Sequence, residues 1–553
     1  MKSKRILFGL YFICVIILLS QILVFYADNK KEDIDLYYKG DLKEVVYSNK
    51  DTIEFMAELN YTPSKVIPFW FWNGDLNKEE ITRQINLIQD VGITEVIIHA
   101  RSGLEQDYLG EEWFEMVGYA LSELEKRNMR TWIYDDFDWP SGIANGKILE
   151  QRPDLIAKKI KFKKIDSESF YLKSKQRNSE KIISVIDAKK SKINNIKEKY
   201  CTDNYCDFGE DYFEGEFYVF YQDEEKSYWT EFENEYYVDL LNPETTQMFI
   251  DLTHEEYYKR FKPYFGTTLI GFFTDEPGIY TQLHSSTDVN SISWSDYFTD
   301  YFKNMKGYDL TDYLYYVWEE DQDISKKIKI DYFEVRTELY VKNYFETIHN
   351  WTQSHKVLLT GHVLIEENLY DIVSFQGDFF KPMQYLDIPG TDEILVFNEE
   401  KITPLMVSSA EFLYNKPYSL TETFGGYGKS LTYDDVLSTT DWLLDKGIDI
   451  IVLHAFFYTT EGELQKKDYQ PSLFFQNEKL WPYMGEYTEY VNSFNNKEKE
   501  KVVIIYPLKK AWSLFNPNNR EKVDELDNLL KETIEKEQNK GKKVILVPDY
   551  LIE

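Results

Sequence analysis

The stretch LIGFFTDEPGIY, residues 269–280, decides the fold. Five residues from Leu269 to Phe273 read as a strand buried on both faces, which is the habit of parallel sheets. Thr274, Asp275 and Glu276 follow directly, and Pro277 stops the run. A turn alone would supply polar residues here. What matters is whether an apolar run ending in ionisable groups occurs once or recurs along the chain.

It recurs. KVIPFWFWN (65–73), ITEVIIHAR (93–101), RTWIYDD (130–136), YYVDLLN (236–242), KVLLTGHV (356–363), YSLTETF (418–424) and IDIIVLHAF (448–456) have the same form. With 269–276 they make eight strand candidates, mostly separated by helical patterns. Asn77 precedes Glu80 at capping-box spacing, and ITRQINLIQDVG then carries apolar residues at helical intervals up to Gly92. Asn242 and Pro243 read as an N-cap and a first helical position. Alternating β and α units in this number predict an α/β chain folded as a (β/α)8 TIM-like barrel, with a doubly wound open sheet as the runner-up.

Residues 155–235 interrupt the rhythm with short alternating runs such as KIKFKKI and GEFYVFYQ, read as an inserted β-rich element. The barrel is expected over 61–495. VVIIYPL, an amphipathic helix near 521–540 and KKVILVPDYL make a short C-terminal β-α-β unit over 496–553. Two strands are too few for an independent domain, so the unit either docks on the barrel or belongs to a chain shortened relative to its relatives.

In a barrel the strand ends converge on one face, where catalysis takes place. The ends here carry Asn73, His99 and Arg101, Asp135 and Asp136, Asp239 and Asn242, Asp275 and Glu276, His362, Glu422 and His454. Turns favour Gly, Asn, Ser and Asp, but do not select His, Glu and Arg directly after apolar runs. The polar ends therefore read as one site, rimmed by Trp70, Trp72 and Trp139. Crowded, partly desolvated carboxyls drive one member toward its protonated form while another stays ionised, the pair that glycosidic cleavage needs. Aromatic faces stack on sugar rings. His99, His362, His454 and an Asp could instead ligate a metal, but no HExxH occurs, and neutral His also binds sugar hydroxyls. No GxSxG elbow supports a nucleophilic serine.

The bulk numbers set further bounds. With 63 Lys and Arg against 96 Asp and Glu, the net charge of −33 repels phosphate backbones, so nucleic acid is not an expected partner. MKSKR followed by ILFGLYFICVIILLSQILVFYA predicts a signal-anchor over 1–27, with the basic flank cytoplasmic and the rest exported to the extracellular side, anchored or secreted. A linker is expected over 28–60. Cys201 and Cys206 could form a local disulfide in an oxidising compartment or remain thiols.

The series PFWFWNGDL, VIIHARSGL, WIYDDFDWPSG, GFFTDEP, LTGHVLIEE, LTETFGG and VLHAFFY resembles the barrel of glycoside hydrolases related to family 106, whose characterised members are α-L-rhamnosidases. The resemblance runs from about residue 63 to 490, and HARSGL and DDFDWPSG mark a divergent branch. It implies an inverting mechanism in which Glu276 is the general acid and Glu422 the general base, with an oligo- or polysaccharide as substrate. Such a pair stands roughly 6.5–9.5 Å apart, against about 5 Å for retention. Trp70, Trp72, Asn73, His99, Arg101, Asp135, Asp136, Trp139, Asp275, His362 and His454 would then bind the substrate. The resemblance also brings in calcium near the sugar; no ligand set follows, although Asp392 and Glu393 of PGTDEI lie near a related acidic motif. The opposing expectations are a non-catalytic cell-surface carbohydrate-binding protein, a metal-dependent barrel hydrolase, and a structural or adhesion protein.

Overall fold

A computed structural model describes residues 34–40, 46, 51–172, 181–189, 194–202, 204–224, 236–279, 291–320, 322–394, 401–462, 472–473, 476–495 and 499–552. The expected signal-anchor over 1–27 lies outside the described residues. Among the described residues no helix is long and apolar enough to cross a membrane.

Eight parallel strands close into a barrel: β1 (Val66–Trp72), β2 (Glu95–Ala100), β3 (Arg130–Phe137), β4 (Leu269–Thr274), β5 (Leu358–Gly361), β6 (Ile388–Glu393), β7 (Leu420–Thr423) and β8 (Ile450–Phe457). Each pairs with the next in chain order, and β8 closes on β1 through Val66 opposite Ile451. The chain is thus a (β/α)8 TIM-like barrel.

Strand alternation sorts the side chains between interior and helix layer. Ile67, Phe69, Phe71, Ile97, Trp132, Tyr134, Phe273, Leu358, Ile388, Leu420, Ile450 and Val452 fill one interior cluster. The helices over the outside begin where the sequence placed caps. Asn77 accepts from the Glu80 amide at 2.9 Å, and Asn242 from the Glu244 amide at 3.0 Å, ahead of Pro243. Thr432 and Asp435 form a reciprocal capping box for Tyr433–Lys446.

One of the eight expected strands is wrong. Residues 236–242 form no barrel strand: Val238 makes only an isolated bridge to Ile156, and Asp239 accepts from Ser295 Oγ at 2.6 Å, away from the interior. The vacancy is filled by β6, with the sequence IPGTDE. Its composition hides it, because Pro and Gly weaken a strand reading. The glycine is required by space: a Cβ on Gly390 would lie 2.4 Å from the Gly361 carbonyl oxygen and 2.6 Å from Leu420 Cδ1. Part of the expected linker is also ordered. Asp51–Glu58 is a helix whose Phe55 and Met56 pack against the barrel interior cluster.

The insertion supplies three strands of a four-stranded antiparallel sheet, in the order Ser291–Trp294, Lys158–Lys164, Phe217–Glu224, Lys181–Asp187. Its edge strand comes from beyond β4. A small core including Val185, Phe208 and Val219 underlies it, and Cys201 and Cys206 are joined as a disulfide. The C-terminal unit pairs Lys501–Tyr506 with Lys543–Pro548 in parallel and docks on the barrel helices. Trp512 Nε1 donates to the Gly377 carbonyl at 2.6 Å, and the Leu546 amide donates to Ser409 Oγ at 2.9 Å.

Candidate active site

Continuing the inward parity past the apolar layers places Asp275 beyond β4, His362 beyond β5, Asp392 on β6, Glu422 on β7 and His454 on β8. Their side chains meet. His362 Nε2 donates to Glu422 Oε2 at 3.0 Å and lies 3.2 Å from Asp275 Oδ1. His454 Nδ1 stands 2.6 Å from Glu422 Oε1, so each oxygen of Glu422 faces an imidazole. Tyr134 on β3 donates its hydroxyl to Asp275 Oδ2 at 2.6 Å.

These contacts sort the protons. Burial opposes the charge on Glu422, but His454 and His362 outweigh it and hold the carboxyl down at about 2. Burial and the charge of Glu422 push Asp275 up to about 6, against the pull of His362 and Tyr134. Burial disfavours a charged His362, yet Asp275 and Glu422 raise it well above its usual range, so it is an imidazolium. Glu276 differs from all of them. It is partly exposed, it sits just past β4 with a left-handed φ of 48°, and its carboxyl has no hydrogen-bond partner among the described residues. Burial, Asp275 and Asp392 raise it well above the ordinary carboxyl range. Backbone in that region is uncommon for a residue with a side chain, and concentrates at functional positions.

Other sequence-selected residues sit elsewhere. Trp70 and Trp72 occupy the outward parity of β1 and are completely buried, which corrects their expected role as sugar platforms. Trp70 Nε1 donates to Gln84 at 2.6 Å on the helix outside, and Trp72 meets Trp113 edge-on at 5.4 Å. The inward rings of that strand are Phe69 and Phe71. Asn73 exchanges two hydrogen bonds with the Thr459 backbone, at 2.9 and 3.0 Å, and ties the β1 exit to the β8 exit. Asp136 accepts from the amides of Phe137, Gly142, Ile143, Ala144 and Asn145 and shapes the loop after β3. Asp135 faces the helix layer, accepting from Ser141 Oγ at 2.6 Å with His254 3.9 Å away. Both aspartates are loop-builders, with no face open to a substrate. Ser141 in turn accepts from the Asp275 amide at 2.8 Å, so this loop fixes where β4 ends.

His99 is inward but sealed. It stacks on Tyr134 at 3.5 Å, and neither ring nitrogen finds a hydrogen-bond partner among the described residues. Burial and Arg101 hold it well below its usual range, so it is a neutral plate beneath the site. Arg101 lies 3.3 Å from Asp138 and is sandwiched between Phe71 and Trp139, 4.4 and 4.6 Å from the ring centres. Trp139 is partly exposed at this edge, so its ring is open to a ligand. Tyr134 is absent from the sequence expectations, and Asp392 enters them only through an acidic motif near calcium; the two-residue parity that puts both inward is the signal that finds them.

Asp275, Glu276 and His362 each bring one possible ligand atom within 4.8 Å of the others. The set does not fit calcium, which takes six to eight oxygen ligands. One member is an imidazole whose Nε2 is already spent as a donor to carboxylates.

The fold and the cluster define a (β/α)8 barrel with a carboxylate–histidine centre at the C-terminal ends of its strands. No family model matches the sequence, and no curated protein matches it. Among solved structures, the chain is similar to a rhamnosidase from Novosphingobium sp. PP1Y at TM-score 0.56 and 10% identity, over 84% of this chain and 63% of that one. It is also similar to a β-galactosidase from the psychrophilic Marinomonas ef1 at TM-score 0.52 and 10% identity, over 88% and 70%. A β-galactosidase from the Antarctic haloarchaeon Halorubrum lacusprofundi aligns at TM-score 0.50 and 10% identity, over 81% and 62%. The chain thus spans less than two thirds of the length of that rhamnosidase. At this identity the likeness shows a shared fold alone.

Proposed function

We propose that the chain is a glycoside hydrolase acting through Glu276 and Glu422 on an oligo- or polysaccharide. One observation carries this: a partnerless, partly exposed carboxyl with a raised pKa shares the barrel mouth with a carboxylate that two imidazoles keep ionised. Two carboxyls with opposite proton states are what glycosidic cleavage requires. Glu276 gives its proton to the leaving oxygen as the bond to the anomeric carbon breaks. Glu422, ionised at the outset, faces the developing positive charge on the sugar and takes a proton from the incoming water as the water oxygen bonds to the anomeric carbon. Similarity to barrels named as a rhamnosidase and β-galactosidases supports the class. Inversion and an α-L-rhamnoside-like substrate follow the motif resemblance. A site on the outer side of the cell membrane, through the N-terminal segment, agrees with the Cys201–Cys206 disulfide, which belongs to oxidising compartments.

Hydrolysis of nitrophenyl glycosides by the unmutated protein, Glu276→Gln and Glu422→Gln tests this. Cleavage by the unmutated protein that falls at least about 100-fold in each variant is expected. Proton NMR of the first-formed anomer reads inversion or retention. Sugar binding with no cleavage of any substrate leaves a binding protein instead.

A further inference from the structure

Asp392 is a charged group at the barrel mouth whose contacts leave its side chain unexplained. It occupies the inward parity of β6 and lies opposite Glu422 in the register with β7. Its carboxylate accepts no hydrogen bond among the described residues, yet burial, Glu422 and Asp275 all work against its charge, with His362 opposing them. It is partly exposed, so its oxygens look into the mouth. Its backbone is firmly held: the amide donates to Glu366 Oε2 at 3.3 Å, and the buried Glu366 also accepts from Thr391 Oγ1 and the Val363 amide.

A half-buried carboxylate with no protein donors is left to water or to a ligand for its hydrogen bonds. A carboxylate has two oxygens and accepts only, so its natural complement is a pair of hydroxyls. The surrounding charge narrows the ligand further. Asp275, Glu276, Glu366 and Glu422 crowd the same side, while the cations among the described residues nearby are each paired with a carboxylate: His362 between Asp275 and Glu422, Arg101 beside Asp138, and Lys401 against Glu393 at 2.8 Å. A sugar carboxylate placed here would meet like charge, with no unpaired cation among the described residues to receive it.

We propose that Asp392 is the substrate-recognition carboxylate of this site, accepting from neighbouring hydroxyls of an uncharged sugar and excluding uronic acids. This rests on the glycosidase reading for the kind of ligand, but its test needs no turnover. Calorimetric titration of the full chain with D-galactose, L-rhamnose, D-glucose, D-mannose and L-arabinose, and with D-galacturonate and D-glucuronate, reads it directly. At least one neutral sugar binds, its Kd rises about tenfold or more in Asp392→Asn, and the uronates do not bind. Asp392→Asn retains the shape and one acceptor, and far-ultraviolet circular dichroism checks that it folds. A uronate bound as tightly as a neutral sugar, a Kd unchanged in Asp392→Asn, or no neutral sugar bound would each overturn the assignment. Loss of cleavage with retained, Asp392-dependent binding would strike the glycosidase reading alone.

Discussion

Replacing His454 by Phe should move the acid limit of activity into a measurable range. His454 lies against Phe71, with ring centres 4.9 Å apart, so a phenyl ring fits the surroundings while losing the 2.6 Å contact to Glu422. Glu422 sits at about 2 against an ordinary 4.5, a difference of about 3 kcal/mol that the two imidazoles supply net of burial. Taking away one of them leaves burial opposed by His362 alone, and the Glu422 carboxyl rises by about one to three pH units. In the pH profile of kcat/KM on a nitrophenyl glycoside, the unmutated protein should hold its activity down to the onset of acid unfolding. The variant should lose activity as pH falls through its new, higher Glu422 value, because a protonated Glu422 can neither take the water proton nor face a cationic transition state. Circular dichroism over the same range separates this from unfolding. A folded variant with an unchanged acid limb would refute the clamp.

Three further outcomes follow from the same geometry. A Cβ on Gly425 would lie 2.5 Å from His454 Nδ1, so Gly425→Ala should push the ring off Glu422 and lower kcat by about tenfold or more, with near-native circular dichroism as the control. Trp70→Phe removes the donor to Gln84 in the helix layer, and should lower stability by about 1–3 kcal/mol in denaturant titrations while leaving KM unaltered. Glu95 is buried beneath the barrel with Tyr61 donating to it at 2.7 Å, and burial raises it from 4.5 to about 7. The unfolded chain gives up that proton first, so stability is full below the ordinary value and declines as pH rises toward the folded one. Glu95→Gln should remove about 3 kcal/mol of that decline, read as the pH dependence of the denaturation midpoint.

Much of the fold was legible because strand ends repeat one signature, apolar run then ionisable residue. The run at 236–242 shares the signature without the place, since an apolar run also suits a segment held by isolated bridges outside any ladder. IPGTDE has the place without the signature, because its glycine answers to a carbonyl 2.4 Å away across the sheet rather than to strand propensity. Within the site, Glu422, His362, His454 and Asp275 were visible as the groups that close each run. Trp70 and Trp72 were misread because nearness to a strand end was weighed without parity, and with Phe69 and Phe71 inward, the tryptophans must face the helices. Asp135 and Asp136 look like substrate ligands in sequence, but the Ser141 hydroxyl that serves the first and the loop amides of residues 142–145 that serve the second are visible only in three dimensions.

The central claim is a proton asymmetry, Glu276 carrying its proton where Glu422 has lost one, and infrared difference spectroscopy at near-neutral pH measures it without any substrate. Subtracting the Glu276→Gln spectrum from that of the unmutated protein should leave a protonated carboxyl band, and the Glu422→Gln subtraction should leave only carboxylate bands. A protonated band that belongs to Glu422, or none that belongs to Glu276, would contradict it.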